Sequence, residues 1–359
     1  MTDDQTPTTD LTQRLCDATI GALELFGAHL GLTLGLYEAL DRHGPLTAPE
    51  LAERAGIHPR YAQEWCEQQA VAGYLTVASP SAGAETIRFS LPDAHRGALL
   101  DPVDGDHVAP FTSMVVAIAE VLDQVADAYR TGGGVPYAHY GTTFRDGQGA
   151  INRPAFTSDL VKVWIPAVPG LAARLSEGAR VLDVGTGQGW SAISVQAAWP
   201  AAQVVGLDTD PASIADARVH AQQAGVAVRF VEPAADGATI ADLGPVDVAF
   251  ILEALHDMAK PGEVLRALRD VLADDGVVVV VDENVAESFT APGDDIERMM
   301  YGWSVVHCLP AAMAEEGAAA TGTAIRPSTV AALAAEAGFS SCEVVDVDAG
   351  FFRVYRLAA

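Results

Sequence analysis

Lysine is almost missing from this sequence. Lys162 and Lys260 are the only two among 359 residues, and 21 Lys+Arg stand against 48 Asp+Glu, a formal net charge of −27. A chain this acidic is repelled by a polyanion, so nucleic acid is not the expected partner. The shortage also excludes a Walker phosphate loop, because no glycine-rich stretch ends in Gly-Lys-Ser/Thr. Cysteine is scarce: Cys16, Cys66, Cys308 and Cys342 are scattered without a C-x-x-C pair, which suits a reducing cytoplasm and no structural metal. No apolar run reads as a membrane span; Val277–Val281 is short and ends in Asp282-Glu283. The opening MTDDQTPTTD has neither a basic region nor an apolar core, so residues 1–10 read as a disordered lead-in rather than a signal peptide. Half of the residues are apolar, and the length suits about two domains.

The stretch richest in chemical information is Val181–Trp190, VLDVGTGQGW. An apolar run enters Asp183, then Gly185, Gly187 and Gly189 alternate, and helix-compatible residues follow from Ser191. The pattern predicts a strand, a turn and a helix N-terminus, with glycines that accept positive φ and let a ligand approach bare backbone. A dinucleotide fingerprint would need a third glycine at position 190, where Trp190 stands. Asp208 ends the next apolar run, VVGLDTD, about twenty residues on, where a carboxylate can accept from both hydroxyls of a ribose; Asp210 can cap the following helix.

Around this unit the chain falls into regions. Leu15, Ile20, Leu23, Phe26, Leu30 and Leu34 recur at helical spacing, with Gly27, Gly31 and Gly35 on one face, which reads as core or dimer interface. Gly44–Val77 predicts two helices, the first opened by a Thr47/Glu50 capping box. Strands at Tyr74–Ala78 and Ile87–Leu91 flank a turn at Ser79–Ala84, completing a winged-helix pattern within residues 11–105. Its second helix, Arg60–Ala72, carries Glu64 and Glu67 with only Arg60 positive, a poor surface for phosphate. Residues 106–170 read as a helical linker. From 171 to 359 strands alternate with helices, predicting a parallel sheet covered on both faces. The last two strands, Cys342–Val347 and Phe351–Arg356, are too close for a crossover and must form a hairpin, which reverses the seventh strand. An insertion, 284–326, sits above the carboxyl ends of the strands and reads as a substrate-facing lid with Tyr301, Trp303, His307 and Cys308.

Asp183-x-Gly-x-Gly-x-Gly resembles motif I of the class I S-adenosylmethionine (SAM)-dependent methyltransferases, and the reversed terminal strand resembles their sheet. GPLTAPELAERAGIHPRYAQEW, ALHDM and YGWSVVHCLP…GTA are similar to one actinobacterial group of these enzymes, which carry an N-terminal winged-helix-like domain; at the position of Thr186 the group often has Cys. The resemblance implies an α/β, Rossmann-like seven-stranded fold. It implies SAM as cofactor, cradled by Gly185, Gly187 and Gly189, with Asp183 below the loop, Asp208 at ribose, Asp236 at adenine, and Glu253 at the crevice mouth. Similar architectures dimerise through the N-terminal domain. The acceptor implied is a small molecule of secondary metabolism; a non-methylating reaction in the same pocket and a winged-helix regulator are the alternatives.

The fourth strand ends in FILEALHDM. His256-Asp257 resembles the His-Asp pair of small-molecule O-methyltransferases, where the histidine is the base, although Met258 follows here instead of Trp. Neutral imidazole suits proton abstraction near pH 7, and Glu283 can orient it or the substrate. Trp164 can line the cofactor site or the core. A metal centre at His256, His307 and Cys308 lacks any H-x-x-x-H or acidic ligand spacing, so none is expected.

Overall fold

The computed structural model describes residues 8–78, 87–233 and 239–359. The chain divides into two compact units, 1–116 and 117–359.

In the first unit a long helix, Thr8–Thr33, is followed by Leu36–His43. Strand β1 (Leu46–Thr47) then leads into helix Ala48–Ala55. The Thr47/Glu50 capping box forms: the Glu50 amide donates to Thr47 Oγ1 at 3.3 Å, and the Thr47 amide to Glu50 Oε2 at 2.8 Å. A left-handed Gly56 (φ +68°) ends that helix, and His58-Pro59 starts Pro59–Val71. Strands β2 (Thr76–Ala78) and β3 (Arg88–Ser90) pair antiparallel, and β3 also pairs with β1. The expected turn at Ser79–Ala84 lies outside the described residues.

Two of the three N-terminal glycines serve close packing. A Cβ on Gly31 would stand 2.5 Å from Trp65 and 2.6 Å from Tyr37, and one on Gly27 would meet Gln68 and Gln69. Trp65 Nε1 donates to the Gly27 carbonyl at 2.8 Å. Gly35 differs: it is a left-handed turn residue (φ +66°) with no packed neighbour but a distant Glu38 oxygen. One face of the helix is bare: Leu11, Leu15, Ile20, Leu23, Phe26 and Leu30 are all exposed. Leu11–Thr33 is long and apolar enough to cross a membrane by length and composition, with a mean hydropathy of 1.2, which departs from the expectation that no run qualifies.

The second unit holds a seven-stranded sheet. Its strands are β4 (Arg180–Val184), β5 (Gln203–Leu207), β6 (Arg229–Val231), β7 (Val246–Leu252), β8 (Leu272–Glu283), β9 (Ser341–Val344) and β10 (Phe352–Ala358), in the order β6-β5-β4-β7-β8-β10-β9. The first five run parallel, and β10 is antiparallel to both its neighbours, as the short terminal connection requires. Strand alternation divides the core in two. Phe250, Val279 and Val281 join one apolar layer with Trp164 and Ile193; Ile251, Val278 and Val280 join the other with Leu265 and Val330. Each such side chain fully buried is worth roughly 1.5–3 kcal/mol. The chain runs outward from β4 through β5 to β6 and then returns to β7 on the other side of β4, so a crevice opens at the carboxyl ends of β4 and β7, the switch point of an open α/β sheet.

Trp164 belongs to this core and not to a ligand site. It ends a π-helical turn, Leu160–Trp164, is 1% exposed, and packs edge-on against Phe352 with ring centroids 5.4 Å apart.

Candidate functional site

A cavity of about 980 Å³ opens at that switch point. Its floor is the turn after β4. The amides of Gly185 and Thr186 donate to the Leu207 carbonyl at 2.8 and 3.1 Å, fastening the loop to β5. All three alternate glycines have positive φ, but for different reasons. A Cβ on Gly185 would lie 2.6 Å from Ala254, and one on Gly189 2.8 Å from Ala217 and Phe230. A Cβ on Gly187 would meet nothing within 4 Å, and Gly187 lines the cavity. Two glycines therefore serve packing, and the third keeps the cavity wall bare.

Two carboxylates stiffen this loop. Asp183 is buried and its Oδ2 accepts from Thr186 Oγ1 at 2.7 Å and Ser191 Oγ at 2.6 Å. Burial pushes its pKa up to about 6 against those hydrogen bonds. Asp208 stands at the cavity wall, where its Oδ2 accepts the Gly187 amide at 2.8 Å and its Oδ1 the Asp210 amide at 2.9 Å. Burial raises its pKa too, opposed by those amides. Asp236, expected at the adenine position, lies outside the described residues.

The opposite wall comes from residues that read as linker. Tyr137, Arg145, Gln148, Gly149 and Asn152 line the cavity from a 3₁₀ turn (Tyr137–Tyr140) and helix Gly141–Thr157. Gly149 allows this helix to approach the glycine loop, since a Cβ there would stand 2.1 Å from Gln188 Oε1. Gln188 Nε2 donates to Asp146 at 3.0 Å and Asp216 at 3.3 Å, and Arg145 donates to Asp216 at 3.2 Å. Trp190, at the missing glycine position, stacks on His220 at 4.2 Å beneath the Arg153 guanidinium at 4.1 Å. Small glycines and a lone Tyr in a loop-like stretch carried no periodic signal of this wall.

The far end of the cavity is crowded with acid. Glu253 follows β7 in a left-handed conformation (φ +55°), strained for a residue other than glycine. It lines the cavity, and its Oε1 is buried without a hydrogen-bond partner. Burial and the neighbouring Glu283 carboxylate raise its pKa well above the ordinary range. Glu283 is itself buried, raised first by burial, and hydrogen-bonded to Glu253.

His256, expected as the base, is buried, does not line the cavity, and has both ring nitrogens beside carboxylates. Nδ1 is 2.6 Å from Asp282 Oδ1, and Nε2 is 3.3 Å from Asp257 Oδ1. Burial alone would lower its pKa, but Asp257 and Asp282 raise it well above the ordinary value. Glu283 is not its orienting group; Asp282 is. Successive strand residues face opposite layers, so only one of the two acids reaches the histidine, and the buried Asp282 shares its face with Val278 and Val280.

Of Tyr301, Trp303, His307 and Cys308, only His307 lines the cavity, which the insertion also reaches through Ala311, Ala314 and Glu315. Tyr301 is exposed and accepts a hydrogen bond from Arg326 at 3.2 Å; Trp303 is half-buried and away from the cavity wall. Arg326 also donates to the buried Glu297 at 3.1 and 3.3 Å, anchoring the insertion. His307 stacks on Phe144 at 4.0 Å, and its Nε2 is buried without a partner. Burial pushes its pKa down to about 4, leaving it neutral.

Comparisons with known proteins agree with this architecture. A family model described as a methyltransferase domain matches residues 175–323. Ubiquinone biosynthesis O-methyltransferase of Cupriavidus pinatubonensis is 32% identical over 117 residues, 33% of this chain and 44% of that protein. The Pseudomonas aeruginosa enzyme of the same name is 35% identical over 115 residues, 32% of this chain and 47% of that protein. The chain thus spans less than half the length of these relatives. Along nearly the whole chain, the fold is that of the mitomycin 7-O-methyltransferase MmcR (TM-score 0.71, 19% identity, 98% of each chain). Human N-acetylserotonin methyltransferase, solved with SAM, matches equally (TM-score 0.71, 16% identity, 100% of this chain and 99% of that one). Residues 175–323 thus match a methyltransferase-domain family, and nearly the whole chain shares its fold with the two solved methyltransferases.

Proposed function

We propose that this protein transfers a methyl group from SAM to a small-molecule acceptor. The observation that carries this reading is the Gly187–Asp208 pair. Gly187 leaves one stretch of cavity wall without side chains, and Asp208, 2.8 Å from its amide, places a carboxylate beside it. A nucleoside needs both features: backbone it can approach, and an acceptor for its ribose hydroxyls. Bound there, SAM supplies a methyl group on a sulfonium. Gly185, Gly187 and Gly189 shape the cradle, Asp183 holds the loop through Thr186 and Ser191, and Asp208 takes the ribose.

The remaining cavity, bounded by Glu253, Asp257 and His307, takes the acceptor. Helix Gly141–Thr157 and the anchored insertion exclude water from it, and alignment is the main demand of a displacement reaction. His256 is a positioning residue for Asp257. The exposed apolar face of helix Thr8–Thr33 fits a second copy of the chain, and light scattering checks for a homodimer.

Calorimetric titration with SAM tests the cofactor, and a panel of hydroxylated aromatic acceptors with labelled SAM tests methyl transfer. SAM binding without product from any acceptor or with a rearranged product would turn the reading toward another reaction in the same pocket.

A further inference from the structure

The fold brings together side chains that sequence spacing keeps apart. A His256 ring nitrogen, an Asp257 carboxylate oxygen and Cys308 Sγ all lie within 4.8 Å of one another. His256 and Asp257 follow β7, whereas Cys308 comes from the π-helical turn Ser304–Cys308 inside the insertion. From the geometry of this cluster we infer a binding site for one zinc-class divalent cation, with His256, Asp257 and Cys308 as its protein ligands.

Four observations carry the site. The first is the donor set: one imidazole nitrogen, one sulfur and one carboxylate oxygen are the ligands a borderline-soft cation of the zinc type selects. The second is alignment. Nε2 and Asp257 Oδ1 are 3.3 Å apart. One cation placed between the two side chains reaches Cys308 Sγ as well. The third is support from behind. Asp282 holds Nδ1 at 2.6 Å and is itself fixed by the Glu283 amide at 3.0 Å. A carboxylate behind a histidine sets the tautomer that leaves Nε2 bare for a metal. The fourth is charge. Asp257 and Asp282 both stand against the single His256 ring, two carboxylates to one imidazole, and a divalent cation offsets that balance.

Three ligands leave a fourth position open, the pattern of catalytic rather than structural zinc. Asp257 and His307 line the cavity, so that position faces the space assigned to the acceptor. A role for the cation in holding an acceptor oxygen or sulfur rests on the methyl-transfer reading; the site itself does not.

The full-length protein is stripped with chelator and titrated with Zn²⁺ against a chromophoric competitor, and in parallel with Co²⁺. One equivalent per chain is expected, with a sulfur-to-cobalt charge-transfer band. Cys308→Ser should abolish that band, and Cys308→Ser and Asp257→Asn should each weaken Zn²⁺ binding at least ~100-fold. Asp282→Asn, which only touches the histidine, should weaken it about 10- to 100-fold. SAM affinity of Cys308→Ser, measured by calorimetry, serves as the folding control and reports on the cofactor site separately. Absence of stoichiometric Zn²⁺ or Co²⁺ binding by the wild type, or binding that both ligand variants leave unchanged, overturns the site.

Discussion

The two ends of the cavity are built on different principles. The end beneath β4 and β5 is made of neighbours in sequence: Asp183, Thr186, Gly187 and Ser191 lie within one turn and the start of its helix, and Asp208 closes the next strand. Backbone conformation does most of the work there. The other end gathers Glu253, Asp257, Asp282, Glu283 and His307 from three distant segments, and buried charge does most of the work. One end has the features that a nucleoside cofactor requires, and the other is the end we propose for the acceptor. The first can vary little without losing its ligand; the second depends on how the insertion is held.

The largest effect should come from that hold. Arg326→Ala leaves the nearly buried Glu297 carboxylate without its partner, and breaking such a pair costs about 3–5 kcal/mol. A thermal melt should show a large drop in Tm, with SAM affinity nearly unchanged because the cradle is built elsewhere. Next, Gly187→Val places a branched side chain in open cavity. We expect SAM affinity to fall at least ~100-fold, about 3 kcal/mol, with a modest fall in Tm from holding a branched residue at φ +51°. Gly189→Val should do the reverse: its Cβ would stand 2.8 Å from Phe230 and Ala217, overpacking worth about 1–3 kcal/mol of stability. Equal Tm loss in both glycine variants would erase the distinction between a bare wall and a packed one. Asp208→Asn keeps shape but loses charge and one acceptor, and calorimetry should show about tenfold weaker SAM binding, near 1.4 kcal/mol.

The smallest effect concerns pH. The Asp183 pKa is raised by burial to about 6 from 3.8. A raised carboxyl favours the fold fully below its unfolded value, and that contribution is lost as pH rises through 6. Urea unfolding of the free protein from pH 4 to 7 should show this decline, flattened in Asp183→Asn. An unchanged pH slope in the variant would remove Asp183 as its source.

Much of the cradle was legible because its signals are local. Alternate glycines after a buried strand, an acid at the end of the next strand, and a connection too short for a crossover each constrain backbone within a few residues. The acceptor end was legible only as composition. The choice of Glu283 over Asp282 as partner to His256 turned on strand parity, which decides which of two adjacent acids faces which layer. Trp164 reads equally well as ligand wall or core, and only packing against Phe352 decides. The wall from Tyr137 to Thr157 resembled a linker because its glycines and polar residues suppress helical periodicity, whereas Gly149 is small so that the helix can meet Gln188. Cys308 carried no ligand spacing because its neighbours come from β7, far earlier in the chain.

The most direct measurement is calorimetric titration of SAM into the wild type and Gly187→Val, each with its thermal melt. The account predicts one SAM bound per wild-type chain, and loss of that binding in a variant that still unfolds in one cooperative transition. No binding by the wild type, or equal affinity in Gly187→Val, would contradict it.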